Sequence, residues 1–406
     1  MLANRAYSKR LSTHCSSKWG QHRNTLALFK MSTRTYTLTI LGDLMLGRLV
    51  DQLLPQHVEE LEEAEHAAHF RRSYSQLQDY NTSSPWGNSL ELLKKSDLIL
   101  ANLETAVTNH NNRWPNKVFN YRMHPANVEC VKAANVAYVS LANNHTLDFN
   151  REGLFETVET IDSAGIAHAG AGRTLQEAEK PAILRLRRTS SDEDSSEHEI
   201  HVYSFSDHPG DWASVPEFNL LKYTSAYRAK LKDLLTRAHP GLTSSPSLKI
   251  ISVHWGPNYS WEPDTEITST ARFLIDDCGI DIIHGHSSHH VQDVEVYRGK
   301  LIIYGCGDFI DDYAVNPKFR NDLSAAWNVT VAESTVGKLE VKKLEVFPNR
   351  IFKFQAGLLS KDHRDHEFVC DKLRELCGKF GTTVNRELGD GGQLIVDIER
   401  NSSRST

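Results

Sequence analysis

Apolar positions in this chain fall into short runs, and several of the runs end on a polar residue. Tyr36–Gly42 (YTLTILG) is rich in β-branched and aromatic residues and stops at Asp43. Ser96–Leu103 (SDLILANL) stops at Glu104, and Ala137–Ala142 (AYVSLA) leads into Asn143-Asn144-His145. Runs of this length and composition predict β-strands. Ile200–Phe205, Leu248–Val253, Gly279–Ile283 and Lys300–Tyr304 read the same way. Arg151–Ala164 instead repeats at helical spacing, with Leu154, Val158 and Ile161 on one face and Gly165 as the stop. Thr224–Ala238, Thr268–Cys278 and Glu367–Phe380 predict helices as well. Strands and helices in alternation predict an α/β chain, an α+β layered sandwich, and not an all-β one.

The main domain is expected over residues 31–359, followed at 360–406 by a C-terminal helix and a polar tail. Thr189–Glu199 (TSSDEDSSEHE), acidic and serine-rich, reads as a loop between strands, and Gln56–Ser84 as an exposed helix or lid. Residues 1–30 carry Arg5, Lys9, Arg10, Lys18, Arg23 and Lys30, and no acid precedes Asp43. That is the composition of a mitochondrial transit peptide, and equally of an upstream, disordered extension ahead of Met31. A net charge of −6 argues against a nucleic-acid-binding surface. No run reaches the ~18 apolar residues of a membrane helix. The six cysteines form no C-x-x-C pair. Their even number allows disulfides, but free thiols in a reducing compartment suit a chain of this length, which places it in the cytoplasm, or in mitochondria if the leader is genuine.

Asp43, Glu104, Asn144, His254, His286 and His289 each come closely after a predicted strand. Ligands of open α/β sheets gather along that edge. Carboxylate, amide oxygen and imidazole together suit one or two divalent ions such as manganese, zinc or iron. Carboxylates neutralise the ions, imidazoles fix geometry, and a bridging acceptor would hold two ions ~3.5–4 Å apart. Plainer roles are open to the same residues: Asp43 as a helix cap, Glu104 as a loop acceptor, His145 and His254 as hydrogen-bonded core histidines.

The segments GDLMLGR (Gly42–Arg48), ANLET (Ala101–Thr105), ANNHTLDF (Ala142–Phe149), VHWGPNY (Val253–Tyr259), HGHSSHHVQ (His284–Gln292) and IIYGCGDF (Ile302–Phe309) resemble, in order, the CapA family of capsule and poly-γ-glutamate synthesis proteins. The resemblance implies a metallophosphatase-like, four-layer αββα fold. It implies metal ligation by Asp43, Asn144, His254, His286 and His289, with Glu104 in the place of a bridging acid. It also implies that protonated His145 helps a leaving group depart. Arg48 either grips an anionic substrate or forms only a salt bridge. Three positions depart from the pattern: Met45 replaces the histidine of Asp-x-His, two residues separate His286 from His289, and Asp308 stands where Asn is usual. The implied activity is metal-dependent hydrolysis of poly-γ-glutamate or another anionic phosphoester or amide, small molecule or polymer. The alternative is a non-catalytic accessory protein of polymer synthesis that binds metal or polymer.

Overall fold

A computed structural model describes residues 34–187, 197–239, 241–242 and 245–402. In chain order its strands are β1 (Thr35–Leu44), β2 (Leu98–Leu103), β3 (Ala106–Val107), β4 (Arg122–Met123), β5 (Tyr138–Ser140), β6 (Ala167–Ala169), β7 (Ala182–Arg187) and β8 (Glu197–Ser206). Then come β9 (Leu248–His254), β10 (Ile282–His286), β11 (Val294–Tyr297), β12 (Lys300–Ile303), β13 (Asp308–Ile310), β14 (Leu323–Glu333), β15 (Leu339–Phe352), β16 (Gln355–Leu358) and β17 (Leu394–Asp397).

Two sheets hold all but the small β3–β4 pair. The larger runs β16-β15-β14-β1-β2-β5-β6, with β13 also on β1 and β17 also on β15. The smaller runs β11-β12-β10-β9-β8-β7. β1, β2, β5 and β6 are parallel, as are β8, β9, β10 and β12. Because side chains alternate along a strand, each sheet has two apolar faces. Leu38, Ile40, Leu100 and Tyr138 of the larger sheet share one buried cluster with Val202, Ile250, Ile282 and Leu301 of the smaller. Ile99, Leu103, Val139 and Leu141 face the other way, where Leu154, Val158 and Ile161 of the helix Asn150–Ser163 cover them. On the far side of the smaller sheet, Phe205, Ile251, Val253 and Ile283 pack under the helices Ser225–Thr236 and Thr265–Asp276. The layer order is therefore αββα.

Several expectations need correction at their edges. The acidic stretch ends sooner than expected, since Glu197–Glu199 open β8, while Thr189–Ser196 and residues 1–30 lie outside the described residues. Beyond residue 359 the expected helix is present, and the stretch after it contains a strand as well as polar chain. Val369, Cys370, Leu373 and Cys377 of the helix Arg364–Lys379 join the core between the sheets, and β17 pairs with β15. Four apolar residues at Leu394–Ile398 suffice for that strand because the sheet edge supplies its hydrogen bonds. Gln56–Ser84 does contain a helix, Leu61–Ser73, with Ala67 its one buried residue. Cys130, Cys278, Cys306, Cys370 and Cys377 are buried free thiols. Among the described residues no helix is long and apolar enough to cross a membrane.

One close backbone approach places two carboxylates side by side. In register, Asp43 of β1 lies opposite Asp308 of β13 on one side and Asn102 of β2 on the other. A Cβ built on Gly42 would stand 1.7 Å from the Gly307 carbonyl oxygen. Gly42→Ala must push β1 away from Gly307, and overpacking of this kind costs on the order of 3 kcal/mol. Urea melts should show that loss as a lower midpoint. A midpoint equal to that of the parent would mean that the two backbones do not pack so closely.

Candidate metal centre

Parallel strands from both sheets bring their C-terminal ends to one place. Asp43 lies at the end of β1, Glu104 directly succeeds β2, and His254 and His286 are the last residues of β9 and β10. His289 arrives from a turn in which Ser287 and His289 itself have positive φ, 102° and 62°. Such a backbone is uncommon for side-chain-bearing residues and marks a position held for another reason. Asp43, Glu104, His254 and His286 are at most 1% exposed.

Asp43 divides the site in two. Its Oδ1 accepts a hydrogen bond from Asn102 Nδ2 at 2.7 Å and lies 3.9 Å from His286 Nδ1. Its Oδ2 lies 4.0 Å from His289 Nδ1. Ligand atoms of Asp43, His254 and His286 lie within 4.8 Å of one another, and so do those of Asp43, Glu104, His289 and Asp308. The residue common to both groups is Asp43, whereas Glu104, assigned the bridging place by the resemblance, belongs to one group only. Asn144 Oδ1 is buried with no hydrogen-bond partner. It lines a cavity of about 490 Å³ with Asp207, His208 and Tyr223, and the His208 ring is 5.0 Å from that of His254.

A chain of hydrogen bonds fixes which nitrogen of His286 faces the group. His284 Nε2 lies 2.8 Å from the Leu41 carbonyl oxygen, which can only accept, so Nε2 carries the proton. Burial pushes His284 down to about 4, so the ring is neutral and its Nδ1 accepts from Ser252 Oγ at 3.0 Å. Ser252 Oγ in turn accepts from His286 Nε2 at 3.0 Å. His286 Nδ1 is thereby left with its lone pair toward Asp43, 2.9 Å from His254 Nδ1. Two nitrogens ~2.1 Å from one ion at a right angle would lie about 3 Å apart. His284, outside the ligand set, thus sets a tautomer inside it.

The donor set fits divalent cations. Asp43 Oδ2, both oxygens of Glu104, Asn144 Oδ1 and Asp308 Oδ2 are buried with no hydrogen-bond donor. Each such acceptor costs ~1–3 kcal/mol if left unpaired. Burial, then neighbouring Asp43, pushes Glu104 and Asp308 well above the usual carboxylate range, and burial also raises Asp43. Burial pushes His254 and His286 well below the usual imidazole range, so both rings are neutral and their nitrogens are free to ligate. A cation answers both features at once, because it favours the ionised carboxylates and takes the lone pairs.

His145 occupies the adjoining position, and its protonation departs from the sequence expectation. Its Nδ1 lies 2.6 Å from Asp148 Oδ2, which also accepts from the Tyr121 amide at 2.6 Å. Asp148 Oδ1 takes Lys117 Nζ at 2.5 Å, and the Tyr121 ring stacks on His145 at 4.1 Å between centroids. Burial pushes His145 down to about 4, against the opposing pull of Asp148. The ring is therefore neutral at pH 7, with Nδ1–H toward Asp148 and Nε2 as an acceptor. The resting state is not the protonated donor that the resemblance implies. Arg48 Nε lies 3.5 Å from Asp312 and 4.0 Å from Glu63, with the guanidinium over Tyr121.

Sequence reasoning left Lys117, Asp148, His208 and Ser252 unassigned, read Asn102 only as satisfying loop backbone, and treated Asp308 only as a departure from a pattern. Asp148 carried a local signal, since it lies three residues from His145. Asn102 and Ser252 also lie close in sequence, two residues before Glu104 and His254, whereas Lys117 and His208 come from separate loops with no such spacing.

The layers and the polar strand ends define a two-sheet αββα protein with a buried carboxylate–histidine cluster where the strands end. A family model described as bacterial capsule synthesis protein PGA_cap matches residues 37–313. Over 372 residues the chain is 33% identical to a probable polyglutamine synthesis accessory protein of Mycobacterium tuberculosis, covering 86% of this chain and 93% of that one. It is 24% identical over 303 residues to the capsule biosynthesis protein CapA of Bacillus anthracis, covering 73% and 65%. A solved structure titled a novel phosphatase, from Mycoplasma pneumoniae, aligns over 78% of this chain and 94% of that one, with a TM-score of 0.42 and 14% identity. The chain belongs to the PGA_cap family of capsule synthesis proteins, the CapA family.

Proposed function

We propose that this protein is a divalent-metal-dependent hydrolase acting on an anionic phosphoester or amide, γ-glutamyl bonds of a glutamate polymer included. The observation that carries the proposal is the set of buried, donorless oxygens of Asp43, Glu104, Asn144 and Asp308 beside neutral His254 and His286. These residues and His289 would hold the metal, which when bound supplies a Lewis acid able to bring the pKa of water near neutrality. His145 Nε2 accepts a proton from the attacking water and returns it to the leaving group, while Asp148 holds the ring by Nδ1. Lys117 pairs with Asp148 and so holds the carboxylate that orients His145. The cavity along Asn144 and His208 gives the substrate room beside the ligands. Names of the relatives, which include polyglutamine synthesis and capsule biosynthesis, support a polymer of this kind.

The second reading, a non-catalytic accessory protein that binds metal or polymer, is favoured by Met45. It lies fully buried two residues past Asp43 and supplies no ligand. Elemental analysis of the purified protein, with phosphoester and γ-glutamyl substrates assayed before and after chelation, separates the two. The hydrolase gives turnover that disappears with the metal and returns on its addition. Metal-loaded protein that binds polymer yet turns over none of these substrates is the accessory protein.

A further inference from the structure

A second aspartate–histidine pair, Asp207 and His208, follows β8 and lines the cavity that Asn144 borders. Burial opposes ionisation of Asp207, yet hydrogen bonds from His208 Nδ1, the Gly256 amide and Tyr223 Oη hold it below the usual carboxylate range. Its Oδ2 accepts from Tyr223 Oη at 2.7 Å and from the Gly256 amide at 2.9 Å. Three donors thus fix the carboxylate, and the carboxylate fixes the ring. With Nδ1–H given to Asp207, Nε2 is the nitrogen left to meet a ligand, and no group among the described residues bonds to it. The ring centroid is 5.0 Å from that of His254, which puts His208 within one small molecule's reach of the candidate ligands.

The formal charge of the cavity wall has one sign. Asp207 stands inside, Asp264 and Glu266 stand exposed where the helix Thr265–Asp276 begins, and among the described residues no lysine or arginine lines the cavity. A run of α-carboxylates placed there would meet like charge, which costs affinity and turns wrong partners away. A primary ammonium meets the opposite case, since it gives an N–H to His208 and lies beside acidic groups. We propose that this cavity is a substrate subsite for a primary ammonium, with His208 Nε2 as its hydrogen-bond acceptor and Asp264 and Glu266 as its counter-charges. The substrate is then amine-bearing close to the scissile bond, as an amino-terminal γ-glutamyl unit or an aminoalkyl phosphoester is, and not the interior of a polyanion. The proposal rests on the hydrolase reading and narrows its substrate.

γ-Glutamyl-p-nitroanilide and O-phosphoethanolamine, each paired with its N-acetylated form, are offered to metal-loaded full-length protein, and p-nitroaniline or phosphate is measured. The pair that turns over tells amide from phosphoester. Within that pair the free amine should have a kcat/KM ~10-fold above its acetylated partner, a gap carried mainly by KM. The double variant Asp264→Asn, Glu266→Gln changes exposed residues only and should narrow the gap ~3–5-fold, the range expected of exposed ion pairs. His208→Ala should raise KM for the free amine more than for the acetylated form while bound metal is retained. Equal rates for both members of a pair, or a preference for the acetylated one, overturn the subsite and leave the hydrolase reading standing. If neither pair turns over, the hydrolase reading fails for these substrates, and calorimetric titration of glutamate against N-acetylglutamate decides the subsite. Tighter binding of the free amine, lost in the double variant, upholds it, and equal binding overturns it.

Discussion

Asp43→Ala should empty both ion positions in one step and take turnover with it. Each Asp43 oxygen faces a different group, Oδ1 toward His286 and Oδ2 toward His289, so no neighbouring ligand can substitute for it. Loss of the whole centre is expected to cost on the order of 10⁴-fold or more in rate, about 5–6 kcal/mol of barrier. His286→Ala, which touches one group, should lose one ion. Stability supplies a control that activity does not. Asp43 is one of the charges that push Glu104 and Asp308 upward, so its removal relieves like-charge crowding in the metal-free protein. Metal-free Asp43→Ala should therefore melt no lower than metal-free parent, while the rise in melting temperature that added metal gives the parent should vanish. A variant that retained two ions per chain would remove Asp43 from the centre.

His145→Ala should have the opposite signature, keeping its metal while turnover falls. Proton transfer by a positioned side chain is worth 10²–10⁴-fold, roughly 3–5 kcal/mol. The variant is expected to fold, because Asp148 keeps two partners when the imidazole is gone: the Tyr121 amide at 2.6 Å and Lys117 Nζ at 2.5 Å. The exposed face of Tyr121 and the lost stacking contact should lower its melting temperature only modestly. Two measurements on the same preparation decide the matter, bound metal and rate. Shed metal would make His145 a ligand, and unchanged turnover would leave it no part in proton transfer.

The legibility of each feature in the sequence depends on how that feature is encoded. β1, β2, β5 and β9 are buried on both faces and therefore appear as continuous apolar runs, each ending where the polar chemistry begins. β14 and β15 escaped notice although they form the longest pairing in the larger sheet. β15 reads LEVKKLEVFPNRIF, with polar residues along one side and a proline, and only its long antiparallel partner makes it a strand. β17 is shorter still and depends on β15 for its existence. At the site, residues that end a strand were visible and residues that meet across strands were not. Asp308 faces Asp43 because Gly42 and Gly307 let two backbones touch, a fact of register with no local signature. The protonation of His145 was equally hidden, since it depends on how deeply the Tyr121 loop buries the ring.

The sheet order has a consequence for how the protein is made. β1 emerges from the ribosome first among the described strands, yet its antiparallel neighbour is β14, with Thr35 paired to Ala332, and Asp43 meets Asp308 only through β13. At ~5–20 residues per second the nascent chain carries a bare β1 edge for tens of seconds before either partner exists. Non-local pairing of this kind is slow, and an unpaired strand invites association with other chains. The carboxylate–histidine cluster therefore cannot exist during most of translation. The candidate ligands are complete only once Asp308 has been delivered, about three-quarters of the way along the chain, so cells short of chaperones should accumulate aggregated protein before they accumulate folded protein with an incomplete site.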